Sequence, residues 1–561
     1  MNSLQTKDYI VFLFYFLVVA SYGVYIYRRR KKATVSASHD YFLAEGSLTW
    51  WAIGASLIAS NISAEQFIGM SGNGFKMGLA ISTYEWMAAA TLIIVAVFFI
   101  PVYLRNKIYT MPQFLNQRYN STVAMIMAVF WLLLYVVVNL TSILYLGALA
   151  ISSVSGLNLT LCMYALAAFA IFITLGGMKV IGYTDVIQVF FLILGGLVTT
   201  YLALNMVSEH YGSSGVVNGF KLLTEKANDH FHMVFDQSNE NFPSLPGLTV
   251  LIGGMWIVNL NYWGCNQYIT QRALGADLKT ARNGILFAAF LKLMMPVIVV
   301  LPGIAAYVLY QDGNFRTEML QNGELNPDRA YPVLLNLLPE GLKGLSFAAL
   351  TAAVVASLAG KANSIATIFT LDIYKKKINT GADENKMVWI GRVTVVAAMI
   401  IAVILAPLLG IDKKGGFEFI QEYTGFVSPG IFAMFILGFF WKKTSSNAAL
   451  FATIGGFLLS VIFKFLPTAV DLAFLQPAGF ATLVQQKDGT SLYEIPFLDR
   501  MGFVFAIAVI GMVIISLIDQ KRGIASNGLE VDRSMFKPDA AFTVGALLVM
   551  GILTALYTIF W

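Results

Sequence analysis

The chain has 561 residues, of which 58% are hydrophobic and only 12% charged, where a soluble globular protein carries about 25% charged residues. So little charge excludes a water-facing surface over a chain this long, and the mean hydropathy of +0.71 agrees. The formal net charge of +6 is no nucleic-acid footprint, because the basic residues fall in short clusters between long apolar runs.

The first apolar run, Ile10 to Tyr27, is followed by its basic cluster, Arg28-Arg29-Arg30-Lys31-Lys32. A cleavable signal peptide has the reverse order, so a retained helix over about 8–27 is expected. Further runs near the ~20 residues needed to cross a bilayer cover 48–70, 78–104, 122–150, 158–175, 180–206, 247–264 and 284–310. Six more lie near 346–372, 387–409, 416–441, 446–466, 500–518 and 541–561. The pattern predicts an all-α integral membrane protein of about fourteen transmembrane helices set in a lipid bilayer. The short alternating segments of a membrane β-barrel are absent.

Alternate short connections hold Arg28 to Lys32, Arg105 with Lys107, Lys179, Arg272 through Lys279 and Arg282, Lys375-Lys376-Lys377, Lys442-Lys443 and Lys521-Arg522. Positive-inside bias makes that side cytoplasmic. The long polar loops 207–246, 311–345 and 467–499 and both termini then lie outside. Two cysteines, Cys162 and Cys265, sit in apolar runs, so no disulfide framework is expected.

Two spans carry polar interruptions. The second reads Ala59-Ser60-Asn61-Ile62-Ser63-Ala64-Glu65-Gln66 at its centre, and the seventh runs Gly253-Gly254 through Asn259, Asn261 and Tyr262 to Gly264. Lipid cannot satisfy freed backbone groups, so such breaks must line a cavity. Their spacing, five helices apart, matches inverted five-helix repeats.

Ionisable groups at membrane depth are costly and serve a pathway or a pair. Glu65 with Gln66, Glu85, Asp185, Lys292 and Lys361 are such groups. Glu85 and Lys292 either bind solute or lock helices as a pair. Asp185, near Lys179, reads equally as interfacial or functional. Lys361 precedes Lys375 by roughly 21 Å of helix, too far to snorkel. It must meet acceptors within the bundle.

Tyr84, Trp86, Tyr262 and Trp263 flank these polar patches, either as a platform for the apolar face of a sugar ring or as helix packing. Gln66, Glu85, Asn259, Lys292 and Gln421 would supply its hydroxyl-binding rim. His230-Phe231-His232 lacks a third ligand nearby and reads as a chance pair. No phosphate-binding Gly-rich loop with Lys-Ser/Thr occurs, which argues against a nucleotide-driven pump. No catalytic cluster marks an enzyme.

Ala59 through Gly69, Tyr84-Glu85-Trp86-Met87, Asn259-Leu260-Asn261-Tyr262-Trp263-Gly264, Gln267-Tyr268, Gln271-Arg272 and Ile420-Gln421-Glu422-Tyr423-Thr424-Gly425 together resemble the sodium/solute symporter family, in its sodium/glucose branch. The likeness runs nearly the whole length, to Leu556-Tyr557-Thr558-Ile559-Phe560-Trp561.

The resemblance implies the LeuT-type fold. Its parts would be an extra helix and cytoplasmic loop (1–47), a first inverted repeat (48–206), an extracellular loop (207–246), a second repeat (247–441) and three C-terminal helices (442–561). It implies secondary active transport of a glucose- or galactose-like hexose, bound by Gln66, Glu85, Asn259, Lys292 and Gln421. Tyr262 would be the inner gate, and Met70, Tyr84 and Phe417 the outer lid. Ala88 stands where galactose-transporting members place a sugar-contacting serine.

Sodium would bind the carbonyls of Ala59, Ile62 and Ala353 and the Ser357 hydroxyl, with Asp185 and Lys361 involved in ion coupling. Ala356 replaces a second hydroxyl, and Lys361 stands one turn from Ser357. Both disturb that site, so a proton-coupled or facilitative carrier is one alternative, and a membrane sugar sensor another. No organic cofactor is expected. The expected setting is a bacterial inner membrane.

Overall fold

The computed structural model describes residues 4–28, 48–176, 178–321, 323–336, 338–408, 416–486 and 489–561. Residues 29–32 of the first basic cluster lie outside the described residues.

The apolar runs form helices because hydrocarbon offers no partner for backbone N–H and C=O groups, and a helix satisfies them internally. Helix α1 (Thr6–Arg28) is followed by a broken helix. Its first half is α2 (Trp50–Asn61), and its second half, α3, runs through Glu65–Met70 and Ser71–Met77. Next come α4, from Thr83–Ile94 on to Ile100–Arg105, the short α5 (Met111–Arg118), α6 (Ser121–Ser155), α7 (Leu159–Thr174) and α8 (Met178–His210). Helix α9 (Val216–Lys226) lies in the following loop.

The second broken unit comprises α10, which is Leu248–Ile252 continued by Gly254–Gly264, and α11 (Gln267–Leu274). The chain continues through α12 (Leu278–Gln311), the short α13 (Ala330–Asn336), α14 (Leu342–Ile378) and α15 (Glu384–Leu408). A bent pair follows, α16 (Gly416–Gly425) and α17 (Ser428–Phe440), with 54° between them. The last three are α18 (Ser446–Thr468), α19 (Phe497–Lys521) and α20 (Ala540–Ile559). Two short antiparallel hairpins, Leu320–Gln321 with Glu324–Leu325 and Thr482–Gln485 with Ser491–Glu494, sit in the polar loops.

Among the described residues, 10 helices are long and apolar enough to cross a bilayer, or 11 with the bent pair. The expected count is not reached by that measure, because three expected spans are short or interrupted. Helix α7 has 16 residues, α2 has 12, and α10 is broken at Gly253.

Helix α14 is the centre of the bundle, with 89% of its most apolar window buried, against 17% for α1 and α20. The outer helices turn Leu13, Phe14, Leu17, Leu547 and Leu548 outwards, as a lipid-facing surface requires. Helix α20 also reaches back to α4: Tyr557 OH donates to Thr83 Oγ1 at 3.1 Å, and its ring lies 5.9 Å from that of Trp86.

Two expectations are corrected here. The seventh span is interrupted twice, at Gly253 and again at Cys265–Asn266, and the polar stretch Gly254–Gly264 between them is helical. Its end glycines serve close packing. A Cβ at Gly264 would meet the Phe99 ring, and one at Gly254 the backbone of Leu498. Arg272 and Arg282, expected in a polar loop, are buried. Arg282 donates to the backbone carbonyls of Ala96, Met535 and Lys537.

Candidate functional site

The first break is a local construction. Helix α2 stops after Asn61, and Ile62 turns to an extended conformation (φ −81°, ψ 111°). The freed N–H groups find partners at once: Ser63 N–H donates to Gln66 Oε1 (2.9 Å) and Glu65 N–H to Ser63 Oγ (3.1 Å). Gln66, expected on the sugar rim, therefore has its carbonyl oxygen engaged in capping α3. The last carbonyls of α2 lack intrahelical partners and carry the negative end of the helix dipole. Ser357 Oγ donates to one of them, Ser60 O, at 3.1 Å. Ala59, Ile62, Ala353 and Ala356 are all buried. Backbone carbonyls at a helix end and a serine hydroxyl are the donor type that a hard monovalent cation takes.

Glu85 on α4 and Lys292 on α12 meet in a buried ion pair of 2.5 Å. Lys292 also donates to Asn61 Oδ1 and lies 5.2 Å from the centre of the Trp263 ring. Asn61 Nδ2 donates to Tyr262 OH at 2.9 Å, and that hydroxyl also accepts from Tyr268 OH. A polar chain thus runs from α4 and α12 through the end of α2 to both halves of the second broken unit.

A narrow cavity adjoins this chain, with about 40 Å³ open to the centre of a water molecule and Glu65, Asn261, Tyr262, Lys361 and Gln421 on its walls. That is well below the few hundred Å³ of typical small-molecule sites. Tyr262 and Gln421 are the predicted rim and gate residues on it. Asn259 is not on its wall; its Nδ2 donates back to Met255 O at 3.2 Å, while Asn261, two residues on, lines it and donates to Ser428 Oγ. A larger groove, about 270 Å³ between α1 and α7 with Phe12, Phe16 and Phe169 on its walls, is apolar and suits lipid chains.

The predicted lid residues converge. Tyr84 and Phe417 pack edge to face with ring centres 4.9 Å apart, and Met70 is fully buried. Beside them, Lys76 and Glu418 stand 3.4 Å apart.

Asp185 is buried on α8, accepts from Ser56 Oγ at 2.6 Å and lies 3.6 Å from Arg272 Nη2. Arg272 Nε donates to Ser56 Oγ at 2.8 Å. This trio ties α8, α2 and α11 together. Lys361 faces a carboxylate as an ion pair, its Nζ 3.6 Å from Glu65 Oε1. Sequence reasoning missed the roles of Asn61, Arg272 and Tyr268. Two broken spans facing each other would have pointed to residues beside the breaks as partners.

Broken helices meeting around a buried polar junction in an apolar bundle define a multi-pass membrane transporter. The sequence profile described as "Sodium:solute symporter family" matches residues 41–456. A sodium/glucose cotransporter of Vibrio parahaemolyticus is 45% identical over 100% of this chain and 99% of its own length. The human sodium/myo-inositol cotransporter 2 is 32% identical over 85% of this chain and 72% of its own. A solved Na⁺-coupled sialic acid symporter, substrate-bound and outward-open, superposes with a TM-score of 0.74 at 21% identity, covering 92% of this chain and 98% of that one. The chain belongs to the sodium:solute symporter family, and its fold is LeuT-type.

Proposed function

We propose that this protein is a secondary active symporter that couples sodium to uptake of a glucose- or galactose-like hexose by alternating access. Its setting is the inner membrane of a bacterium, with both termini extracytoplasmic and the two five-helix repeats (48–206 and 247–441) forming the core. The observation that carries this reading is the chain Glu85–Lys292–Asn61–Tyr262–Tyr268, which joins both broken helices beside a polar cavity. The naming of the relatives as sodium cotransporters of glucose and myo-inositol supports sodium coupling over the sodium-independent carrier and the sensor.

Glu85, Lys292 and Gln421 hold the sugar, joined by Gln66 and Asn259 when these exchange their local partners, Ser63 N–H and Met255 O, for its hydroxyls. A hydroxyl both donates and accepts, so it suits insertion between a carboxylate and an ammonium. Solute binding opens the direct Glu85–Lys292 contact and replaces it with hydroxyl bridges at no loss of hydrogen bonds. With the lid of Met70, Tyr84 and Phe417 shut, the solute leaves only when Tyr262 releases Asn61 and Tyr268. Sodium, held at Ala59, Ile62, Ala353 and Ser357, joins α2 to α14 and favours the conformations in which they touch. Ala356 supplies no ligand, and Glu65 holds the Lys361 ammonium.

Purified protein in liposomes should accumulate labelled hexose on imposing an inward sodium gradient and lose that drive when the gradient is collapsed. Equal uptake with and without sodium would refute the coupling.

A further inference from the structure

Lys361 has no task in this mechanism, although burying an ammonium is costly. It stands on α14 one turn beyond Ser357, its side chain 3% exposed, with Nζ 3.6 Å from Glu65 Oε1 and 5.0 Å from the centre of the Tyr268 ring. Glu65 begins α3, directly after the first break. Its side chain is 9% exposed, and among the described residues Oε1 has no hydrogen-bond donor, so the ammonium is the charge it faces. Both side chains line the cavity that holds Gln421, Asn139 and Asn266. The pair spans the broken first helix and α14, the same two units joined by Ser357 and Ser60.

A carboxylate at this depth needs a positive partner. Carboxylate and amide oxygens around a small polar cavity, with an aromatic face on one side, suit a monovalent cation as well as an ammonium. A free ion in this position would be bound and released in each cycle. A lysine side chain is never released.

We propose that the Lys361 ammonium fills a second cation site built from the Glu65 carboxylate, the Tyr268 face and the cavity amides, so that this protein carries a tethered cation where a bare Glu65 would recruit one from solution. The inference rests on the sodium-symport reading only for the identity of the ion. Its consequence is that the site at Ala59, Ile62, Ala353 and Ser357 alone sets how many ions move with each solute.

The test is equilibrium binding of radioactive sodium to the purified full-length protein, with Lys361→Met and the double variant Lys361→Met/Glu65→Gln beside the wild type. Lys361→Met should bind about one more ion per chain than the double variant, which should match the wild type, because the carboxylate then lacks its fixed partner. Equal binding by Lys361→Met and the double variant, both monodisperse, overturns the tethered cation. If the wild type binds no sodium while Lys361→Met still exceeds the double variant, the symport reading falls and the tethered cation stands. Should Lys361→Met not purify folded, Lys361→Gln decides the same comparison.

Discussion

The two broken helices do the same job by different means. At the α2–α3 break the freed N–H groups are capped from within, by Ser63 and Gln66, while the Ser60 carbonyl takes a donor from α14, Ser357 Oγ. At the α10–α11 break the partners come from afar. Tyr135 of α6 donates to Asn266 Oδ1 and accepts from Gln267 N–H, and Gln267 Oε1 accepts from Met111 N–H at 2.7 Å. A break whose N–H groups carry their own caps can shift without orphaning them. One capped by neighbours is fixed to them. The first is built as a hinge and the second as an anchor.

Three substitutions would break or sharpen that contrast. The largest effect belongs to Asp185→Ala, which strands Arg272 on α11 as a buried, unpaired charge. A loss of about 3–5 kcal/mol is expected, seen as a large drop in Tm in detergent; an unchanged Tm would mean that Arg272 finds another acceptor. Next is Tyr135→Phe, which uncaps the anchor at its buried end and should cost about 1–3 kcal/mol. Hexose uptake should fall with it, since the anchor sets the position of Tyr262. Ser63→Ala removes one cap of the hinge, and about 1 kcal/mol is expected from N-cap losses. Its signature should be local: faster amide exchange at Glu65, with Tm nearly that of the wild type. If Ser63→Ala proved the more damaging of the two, hinge and anchor would have to be exchanged.

The same contrast explains what could be read from the sequence. The first break is legible because its caps lie within the motif Ser63-Ala64-Glu65-Gln66. The second unit is legible only at Gly253, since the glycines and asparagines of Gly254–Gly264 look like a disruption and are helical. Gly254 and Gly264 instead make room for Leu498 and Phe99, and Asn261 is satisfied by Ser428. The partners of Asn266 and Gln267 are on other helices, beyond the reach of any local pattern. Charge was misread for a related reason. Arg272 looked like a loop residue because it begins a basic stretch, but Asp185 and Ser56 draw it inside. The depth of Lys361 was readable from its distance to the next lysine. Its partner was not, because Glu65 reaches it only through the turn at the break.

Helix α20 has Leu547 and Leu548 turned outwards while Tyr557 is hydrogen-bonded to Thr83, next to the lid residue Tyr84. A helix so little buried answers to the hydrocarbon thickness around it as well as to the few neighbours that hold it. Through the Tyr557 hydroxyl and ring it bears on Thr83 and Trp86, which flank Tyr84, so one of the most lipid-exposed helices of the bundle adjoins the proposed lid.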